Sequence, residues 1–284
     1  MVESVLVTGA NKGIGFEVIK LLSAAFPRAT IYLGTRSVER GEEALAKLHA
    51  EHLGRHVQVL ELDVGSLDSI KRAFNEISLT GKSLDLLINN AGILIPSADP
   101  KDAEKVFAVN VLGIKNTIDT FLPILAPTAT IINVSSELGA AAQWTLPSEL
   151  KLILENVEEL SWSKLEQILL DYNQPQPQYA WPSPPQTAWS YGISKAILNA
   201  YTRLFAAENP NLRVFAVCPG FCATDINGNA GFRSAIAGGF SVVWPILNTG
   251  LQSGLFYRDG VSLPYASQKL AENMTPDPND EFWY

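Results

Sequence analysis

The sequence predicts an α/β fold in which a doubly wound parallel sheet lies between two layers of helices. Short apolar runs alternate with amphipathic helical segments through the first half of the chain, and a glycine-rich turn joins the first run to the first helix. The runs are rich in β-branched residues and almost wholly apolar, which is typical of strands buried on both faces. We therefore expect a Rossmann-like, three-layer αβα arrangement.

Each element is identified by its periodicity. The predicted strands cover residues 4–7, 30–33, 57–62, 84–88, 130–134 and 212–218, with 255–257 as the candidate last strand. The predicted helices cover residues 14–26, 39–53, 66–77, 103–125 and 191–209. Repeated β-α-β units imply right-handed crossovers and ligand binding at the carboxyl ends of the strands.

The 284 residues are interpreted as one domain, 1–284, with two irregular regions. Residues 140–188 are predicted to be an insertion, helical and acidic over 145–165 and extended over the proline-rich 173–187. Residues 226–250 are predicted to be a substrate loop, and the glycines of its first part suggest a mobile lid; they are Gly228, Gly231, Gly238 and Gly239. The tail from Thr275 to Tyr284 is expected to be an exposed arm, unless its last three aromatic residues dock on the body.

Composition narrows the class of protein. A formal charge of −8 argues against nucleic acid or an anionic membrane surface as the main partner. Two cysteines, Cys218 and Cys222, allow neither a disulfide framework nor a four-ligand zinc site, so we expect no metal and a reduced, cytoplasmic location. A strand-like run starts at Val2 with no charged segment before it, and no apolar run is long enough to span a bilayer.

A phosphate-binding turn is predicted between the first strand and the first helix. Glycines permit a close approach of the backbone to a pyrophosphate, and the helix N-terminus offers free N–H groups. The candidate cofactor-binding residues of this turn are Gly9, Asn11, Lys12, Gly13, Ile14 and Gly15. A purely structural glycine turn is the alternative.

The residues after the next strands favour NADP(H) as the dinucleotide. No acidic residue follows the second strand, where an NAD site usually binds the ribose diol, whereas Arg36 and Lys12 could pair with a 2′-phosphate. Both could instead be ordinary surface cations. Further candidates at the sheet edge are Asp63, whose carboxylate could accept from the adenine amino group, with Val64, Asn90, Ala91 and Gly92.

Five motifs in order resemble the short-chain dehydrogenase/reductase family over residues 2 to about 226. They are the glycine turn, Asn89-Asn90-Ala91-Gly92, Asn133-Val134-Ser135-Ser136, Tyr191-x3-Lys195 and Pro219-Gly220-x3-Thr224. The resemblance implies that Ser136, rather than Ser135, binds the substrate oxygen. It also implies that Asn110 holds a water in a proton relay, and that Thr224 binds the carboxamide of the nicotinamide beside Pro219 and Gly220.

Carbonyl reduction needs a proton donor as well as a hydride donor. A free tyrosine, with a pKa of about 10, is a poor relay near neutrality. A nearby ammonium stabilises the phenolate, and Tyr191 and Lys195 share one helix face at i and i+4. We therefore predict Tyr191 as general acid in reduction and Lys195 as the residue that tunes it and holds the nicotinamide ribose.

The spacing of the catalytic residues points to a subgroup. Ser136 and Tyr191 are 55 residues apart, where about a dozen is usual in the family. A long insertion here resembles the monomeric carbonyl reductases and related plant terpenoid and alkaloid reductases, which implies a monomer. Trp144, Trp181 and Trp189 flank the catalytic segments, so one or two are expected to line a pocket for an apolar or aromatic substrate.

The leading hypothesis is NADPH-dependent reduction of a ketone or aldehyde carbonyl to an alcohol. The second hypothesis is an NADP-dependent secondary alcohol dehydrogenase of a secondary-metabolite pathway, because the direction of the reaction depends on the substrate and on the redox state of the cofactor. A non-catalytic NADP(H)-binding regulator is the third. Such proteins tend to lose the tyrosine or the lysine, and this chain has both.

Overall fold

An eight-stranded sheet forms the centre of the protein. The computed structural model describes residues 2–97, 99–182 and 189–273. The strands are β1 (Ser4–Val7), β2 (Thr30–Thr35), β3 (Val57–Glu61), β4 (Leu84–Asn89), β5 (Leu125–Val134), β6 (Arg213–Val217), β7 (Phe256–Arg258) and β8 (Val261–Leu263). Their order is β3-β2-β1-β4-β5-β6-β7-β8, and every pair is parallel except β7 with β8. The chain runs outward in one direction from β1 and in the other from β4, which creates a switch point between them.

Helices cover both faces of this sheet. They are α1 (Gly13–Ala25), α2 (Val38–Ala50), α3 (Leu67–Ser78), α4 (Pro100–Phe107), α5 (Ile114–Phe121), α6 (Glu137–Thr145), α7 (Ser148–Glu155), α8 (Trp162–Tyr172), α9 (Trp189–Glu208), α10 (Ala235–Leu247) and α11 (Gln268–Asn273). Within the described ranges, no helix has the length and apolar character needed to cross a bilayer.

The core is divided by the sheet. One cluster joins Leu6 and Leu87 to the side chains of α3, α5 and α9, and the other joins Val5 and Ile88 to those of α1, α2 and α10. Successive residues of β1 point to opposite clusters and all four are buried, as expected for a strand covered on both faces. The predicted three-layer αβα fold is confirmed.

The predicted helix over 103–125 is interrupted. A π-helical segment, Ala108–Gly113, separates α4 from α5, and a 3-10 turn over Leu122–Ile124 precedes β5, which begins at Leu125 rather than at Thr130. Periodicity alone missed the π segment because apolar residues continue through it. Such bulges often occur at functional sites.

The region after β6 corrects two predictions. The strand expected at 255–257 lies one residue later and is not the last, because β8 follows and pairs with it. Gly238 and Gly239, expected in a mobile lid, lie inside α10 instead. A Cβ on Gly238 would lie 2.6 Å from the Cys222 Sγ, and one on Gly239 would lie 3.1 Å from the Glu17 Cβ of α1. These glycines therefore serve close packing.

The insertion between Ser136 and Tyr191 consists of helices that cover α9. Its helices α7 and α8 bury Leu150, Leu154, Leu165, Ile168 and Leu169 in the same cluster as α9. The proline-rich loop follows, and its residues 183–188 lie outside the described residues, as does the tail 275–284. Most residues of α9 are buried, including two of its polar side chains, Asn199 and Thr202.

Candidate active site

A cavity of about 1010 Å³ opens at the carboxyl ends of the strands. All the sequence-predicted cofactor and catalytic residues line it except Asn110. They are Gly9, Asn11, Lys12, Gly13, Ile14, Gly15, Arg36, Asp63, Val64, Asn90, Ala91, Gly92, Ser136, Tyr191, Lys195, Pro219, Gly220 and Thr224. Motifs spread over more than 200 residues therefore meet in one place, as expected at the switch point of a doubly wound sheet.

The glycine turn presents the N-terminus of α1 to this cavity. Gly9 has φ +62°, and a Cβ there would lie 2.8 Å from the Ala91 Cα, so only glycine fits without displacing the backbone. Asn90 Nδ2 donates to the carbonyls of Thr8 and Gly9 at 3.0 Å, which ties the turn to the end of β4. No side chain caps α1, so its first N–H groups remain available to an anion.

Cations lie at the edge of this turn. Arg36, directly after β2, is exposed and forms no ion pair with any described residue. Lys12 does have a partner: its Nζ lies 2.6 Å from Asp225 Oδ2, across the cavity. Of the two predicted phosphate ligands, Arg36 is therefore the unpaired one.

Ser136, Tyr191 and Lys195 lie together at the other end of the cavity. The Tyr191 hydroxyl is hydrogen-bonded to Ser136, whose Oγ also accepts from Leu138 N–H at 3.2 Å as the N-cap of α6. Lys195 Nζ lies 5.5 Å from the Tyr191 ring centroid and donates to the Val134 carbonyl at 2.8 Å. Ser135, the neighbouring serine, donates instead to buried Asn199 Oδ1 at 2.6 Å.

Burial controls the protonation of this group. Burial, then the nearby Cys218 thiol, hold the pKa of Tyr191 well above its ordinary 10.0, whereas the Ser136 hydrogen bond acts in the opposite direction. Burial lowers the pKa of Lys195 from 10.5 to about 8, with a smaller opposing effect of Cys218. The lowering of the Tyr191 pKa that was expected from Lys195 is therefore not observed, because burial outweighs it; the tyrosine is a protonated donor at neutral pH, and the lysine changes charge at mildly alkaline pH.

We expect ketone reduction to lose kcat/KM as the pH rises above about 8, by about tenfold per pH unit, because Lys195 loses its charge there while Tyr191 stays protonated. Initial rates with NADPH over a pH series measure this profile. Lys195→Arg is the control: it should be slower, with its alkaline limb moved beyond about pH 10, because guanidinium does not titrate there. An unchanged limb in that variant would assign the titration to another group.

Two glycines bring α6 and α9 close enough for Ser136 to meet Tyr191. A Cβ on Gly139 of α6 would lie 2.7 Å from the Lys195 carbonyl carbon and 2.8 Å from the Ala196 nitrogen. A Cβ on Gly192 of α9 would lie 3.2 Å from the Leu138 carbonyl oxygen. The helices thus pack backbone against backbone, and any side chain at Gly139 has to separate them.

Gly139→Ala should lower both thermal stability and kcat, because the added methyl pushes the Ser136 helix away from the Tyr191 helix. Overpacking of this kind costs about 1–3 kcal/mol of unfolding free energy. Thermal melting and steady-state kinetics measure the two effects. Gly250→Ala is the matched control, since a Cβ there has nothing within 4 Å, and equal effects of the two variants would disprove the packing argument.

Asn110 lies within the π segment and is fully buried. Its Oδ1 accepts from Ile93 N–H at 2.8 Å, and its Nδ2 donates to the Ile93 carbonyl at 2.9 Å and to Ser194 Oγ at 3.1 Å. The side chain therefore joins the loop after β4 to α9, beside Lys195. This explains why it does not line the cavity.

The tryptophans do not form the predicted aromatic wall. Trp181 stacks edge-to-face on Tyr172 and donates to Asp171 within the insertion, and Trp144 lies beside Lys151 near the surface. Neither they nor Trp189 line the cavity. Proximity in sequence was a poor guide, because the side chains of the insertion pack toward α8 and α9.

Other residues, not predicted from the sequence, also line the cavity. The apolar ones include Ile93, Leu94, Leu138, Phe221 and Phe232, and the charged ones include Glu137, Arg233, Arg258 and Asp259. Glu137 follows Ser136 directly, which could have marked it, whereas the position of Arg258 depends on a strand far along the chain. Among the described residues, no group of three His, Cys, Asp or Glu side chains is arranged to hold a metal ion.

The fold and the site together define a class. A doubly wound sheet, an uncapped helix after a glycine turn and an adjoining Ser–Tyr–Lys cluster are the features of a nicotinamide-dependent oxidoreductase.

Comparison with known proteins identifies the family. Residues 3–147 match the short chain dehydrogenase family. Short-chain dehydrogenase/reductase 1 of Saponaria officinalis is 31% identical, over 92% of this chain and 95% of that protein. The protein of Homo sapiens named carbonyl reductase (NADPH) 1 is 30% identical, over 84% and 88%. The structure of salutaridine reductase from Papaver somniferum has a TM-score of 0.81 at 28% identity, covering 90% of this chain and 99% of that one. The chain belongs to the short-chain dehydrogenase/reductase family.

Proposed function

We propose that this protein reduces the carbonyl group of a ketone or aldehyde to an alcohol, with NADPH as hydride donor. The observation that carries the proposal is the presence of Ser136, Tyr191 and Lys195 in the same cavity as the glycine turn and Arg36. The relatives named carbonyl reductase and salutaridine reductase support the same reaction class.

The residues of the cavity fit a dinucleotide phosphate. The uncapped N–H groups at the start of α1 are available to a pyrophosphate, and the positive φ angles of Gly9 and Gly13 shape the turn that leads into this helix. The unpaired guanidinium of Arg36 would hold the 2′-phosphate, and Lys12 would assist if it leaves Asp225. Further along the cavity, Asp63, Val64 and Thr224 would hold the adenine and nicotinamide ends.

The chemistry assigned to each residue follows from its position. When bound, NADPH supplies the hydride to the carbonyl carbon. Ser136 donates a hydrogen bond to the carbonyl oxygen, and Tyr191 transfers its proton to that oxygen as negative charge develops there. Charged Lys195 stabilises the tyrosinate that is left behind. Asn110 acts indirectly: its side chain hydrogen-bonds the Ile93 backbone and Ser194, the residue that precedes Lys195.

The reaction is tested by following NADPH absorbance with a panel of carbonyl compounds that includes isatin and menadione. Turnover of at least one ketone is the expected result. Tight NADPH binding without turnover across the panel would instead make the protein a non-catalytic NADP(H)-binding regulator. Turnover only with NADP⁺ and secondary alcohols would make it a dehydrogenase that works in the oxidative direction.

We further propose that the whole chain is one catalytic domain that acts as a cytoplasmic monomer on a substrate with a mainly apolar skeleton. The packing of α7 and α8 against α9 supports the monomer. The apolar side chains of Ile93, Leu94 and Leu138 in the cavity lining support the apolar substrate. Light scattering after size exclusion should give a mass near 30.9 kDa. A mass of twice that value or more would contradict the monomer.

A further inference from the structure

An ion pair lies beside the catalytic serine and has no part in the mechanism above. Arg258, at the end of β7, donates through Nη1 to Glu137 Oε2 at 2.5 Å, although 121 residues separate them. Glu137 follows Ser136 in the chain and begins α6. The Cys218 Sγ lies 3.9 Å from the same carboxylate oxygen. Both side chains line the cavity.

This pair retains hydrogen-bonding capacity. Among the described residues, Glu137 Oε1 and the Nε and Nη2 groups of Arg258 have no hydrogen-bond partner. The Arg258 side chain is 40% exposed and the Glu137 side chain 12%. One acceptor and several donors are therefore offered to a molecule in the cavity.

The neighbouring ion pair is different. Arg233 donates from both Nη1 and Nη2 to the two carboxylate oxygens of Asp259, and Nη2 also donates to the Ala237 carbonyl. Both carboxylate oxygens of Asp259 therefore already accept from Arg233 in that pair. Two ion pairs of the described residues line the cavity with free capacity at both members: Lys12 with Asp225, at the cofactor turn, and Arg258 with Glu137, which directly follows the catalytic Ser136 in the chain.

The chemistry of the pair of Glu137 and Arg258 selects its ligand. The net charge of the pair is zero. A carboxylate bound near Arg258 would be repelled by the carboxylate of Glu137, and an ammonium bound near Glu137 would be repelled by the guanidinium of Arg258. A hydroxyl can accept from Arg258 and donate to Glu137 at once. Leu138, Phe221 and Phe232 line the same cavity and suit an apolar remainder.

We propose that Glu137 and Arg258 bind a hydroxyl group of the substrate, which makes the substrate a neutral hydroxyketone with an apolar skeleton. The inference rests on the proposed carbonyl reduction. Glu137 directly follows Ser136, the proposed ligand of the carbonyl oxygen, and both line the cavity, so one substrate can reach both residues when its hydroxyl lies close to its carbonyl.

Four ketones that share one skeleton test the proposal. Propiophenone has no second polar group, 3-hydroxy-1-phenylpropan-1-one adds the hydroxyl, its methyl ether accepts but cannot donate, and 3-oxo-3-phenylpropanoate carries a carboxylate. The quantity compared is kcat/KM for each compound divided by kcat/KM for propiophenone, determined separately for each protein variant.

The wild-type ratio for the hydroxyketone should be about tenfold or more, which corresponds to about 1.4 kcal/mol of hydrogen bonding. The methyl ether should fall between the two. Arg258→Met and Glu137→Gln should each reduce the hydroxyketone ratio at least threefold. Arg55→Met, at an exposed arginine outside the cavity, is the matched control and should keep the wild-type ratio.

Three results would overturn the proposal: a wild-type ratio near one, a ratio that Arg258→Met and Glu137→Gln leave unchanged, or a preference for the carboxylate that Arg258→Met removes. If Arg258→Met does not fold, Arg258→Lys and Glu137→Gln supply the comparison. Reduction of propiophenone without any hydroxyl preference removes only this inference. Failure to reduce any ketone of the series or of the wider panel removes the proposed function itself.

Discussion

Tyr191→Phe should lower kcat for NADPH-dependent ketone reduction by roughly 10²–10⁴-fold, the usual contribution of a positioned general acid. The change deletes one oxygen from a partly buried ring that already packs under Lys195 Nζ, so little else in the cavity is disturbed. Single-turnover rates with NADPH and a ketone that the wild type accepts measure the loss.

NADPH affinity separates a chemical effect from a folding defect. We expect the dissociation constant of NADPH for Tyr191→Phe to stay within about threefold of wild type, since a ring hydroxyl contributes about one hydrogen bond at most. Tyr172→Phe removes a hydroxyl from the insertion, outside the cavity, and is the matched control. Retention of more than about a tenth of wild-type kcat in Tyr191→Phe would contradict the role of general acid.

Arg36→Asp should reverse the cofactor preference, with the NADPH-to-NADH ratio of kcat/KM falling by about 10²-fold or more. A charge-assisted hydrogen bond contributes about 1.5–3 kcal/mol, and the new carboxylate repels the 2′-phosphate while it suits a ribose diol. Initial rates with both cofactors measure the ratio.

Arg28→Asp provides the matched control for the charge change. Arg28 is exposed just before β2, whereas Arg36 follows the carboxyl end of the same strand. It should leave the ratio unchanged. Lys12→Ala should have a smaller effect than Arg36→Asp, because Lys12 is already paired with Asp225. An unaltered ratio in Arg36→Asp would place phosphate recognition elsewhere.

Sequence reasoning succeeded where the determining interactions are local. The buried runs of β1 to β6 and the turn at Gly9 depend on residue types within a few positions. Tyr191 and Lys195 lie on one helix, so their spacing alone places them together. For these features, strand periodicity and helix geometry are sufficient to predict the arrangement.

The predictions that failed depend on distant packing. Glycines are poor helix formers, so Gly238 and Gly239 suggested a loop, yet α10 needs them because α1 and Cys222 leave no room for a Cβ. The ion pair of Glu137 with Arg258 joins residues 121 positions apart, and no short-range sequence pattern predicts it. The tryptophans of the insertion were misassigned because their partners, such as Tyr172, lie within the insertion itself.

The packing of α7 and α8 against α9 determines how the protein responds to its own dilution. Their leucines and isoleucines screen the helix that carries Tyr191 and Lys195, and they belong to the same polypeptide. Covalent linkage keeps this cover at a fixed effective concentration, so mass action cannot remove it on dilution. The apolar face of α9 that these two helices bury is thus kept from water by the same polypeptide that carries the catalytic residues.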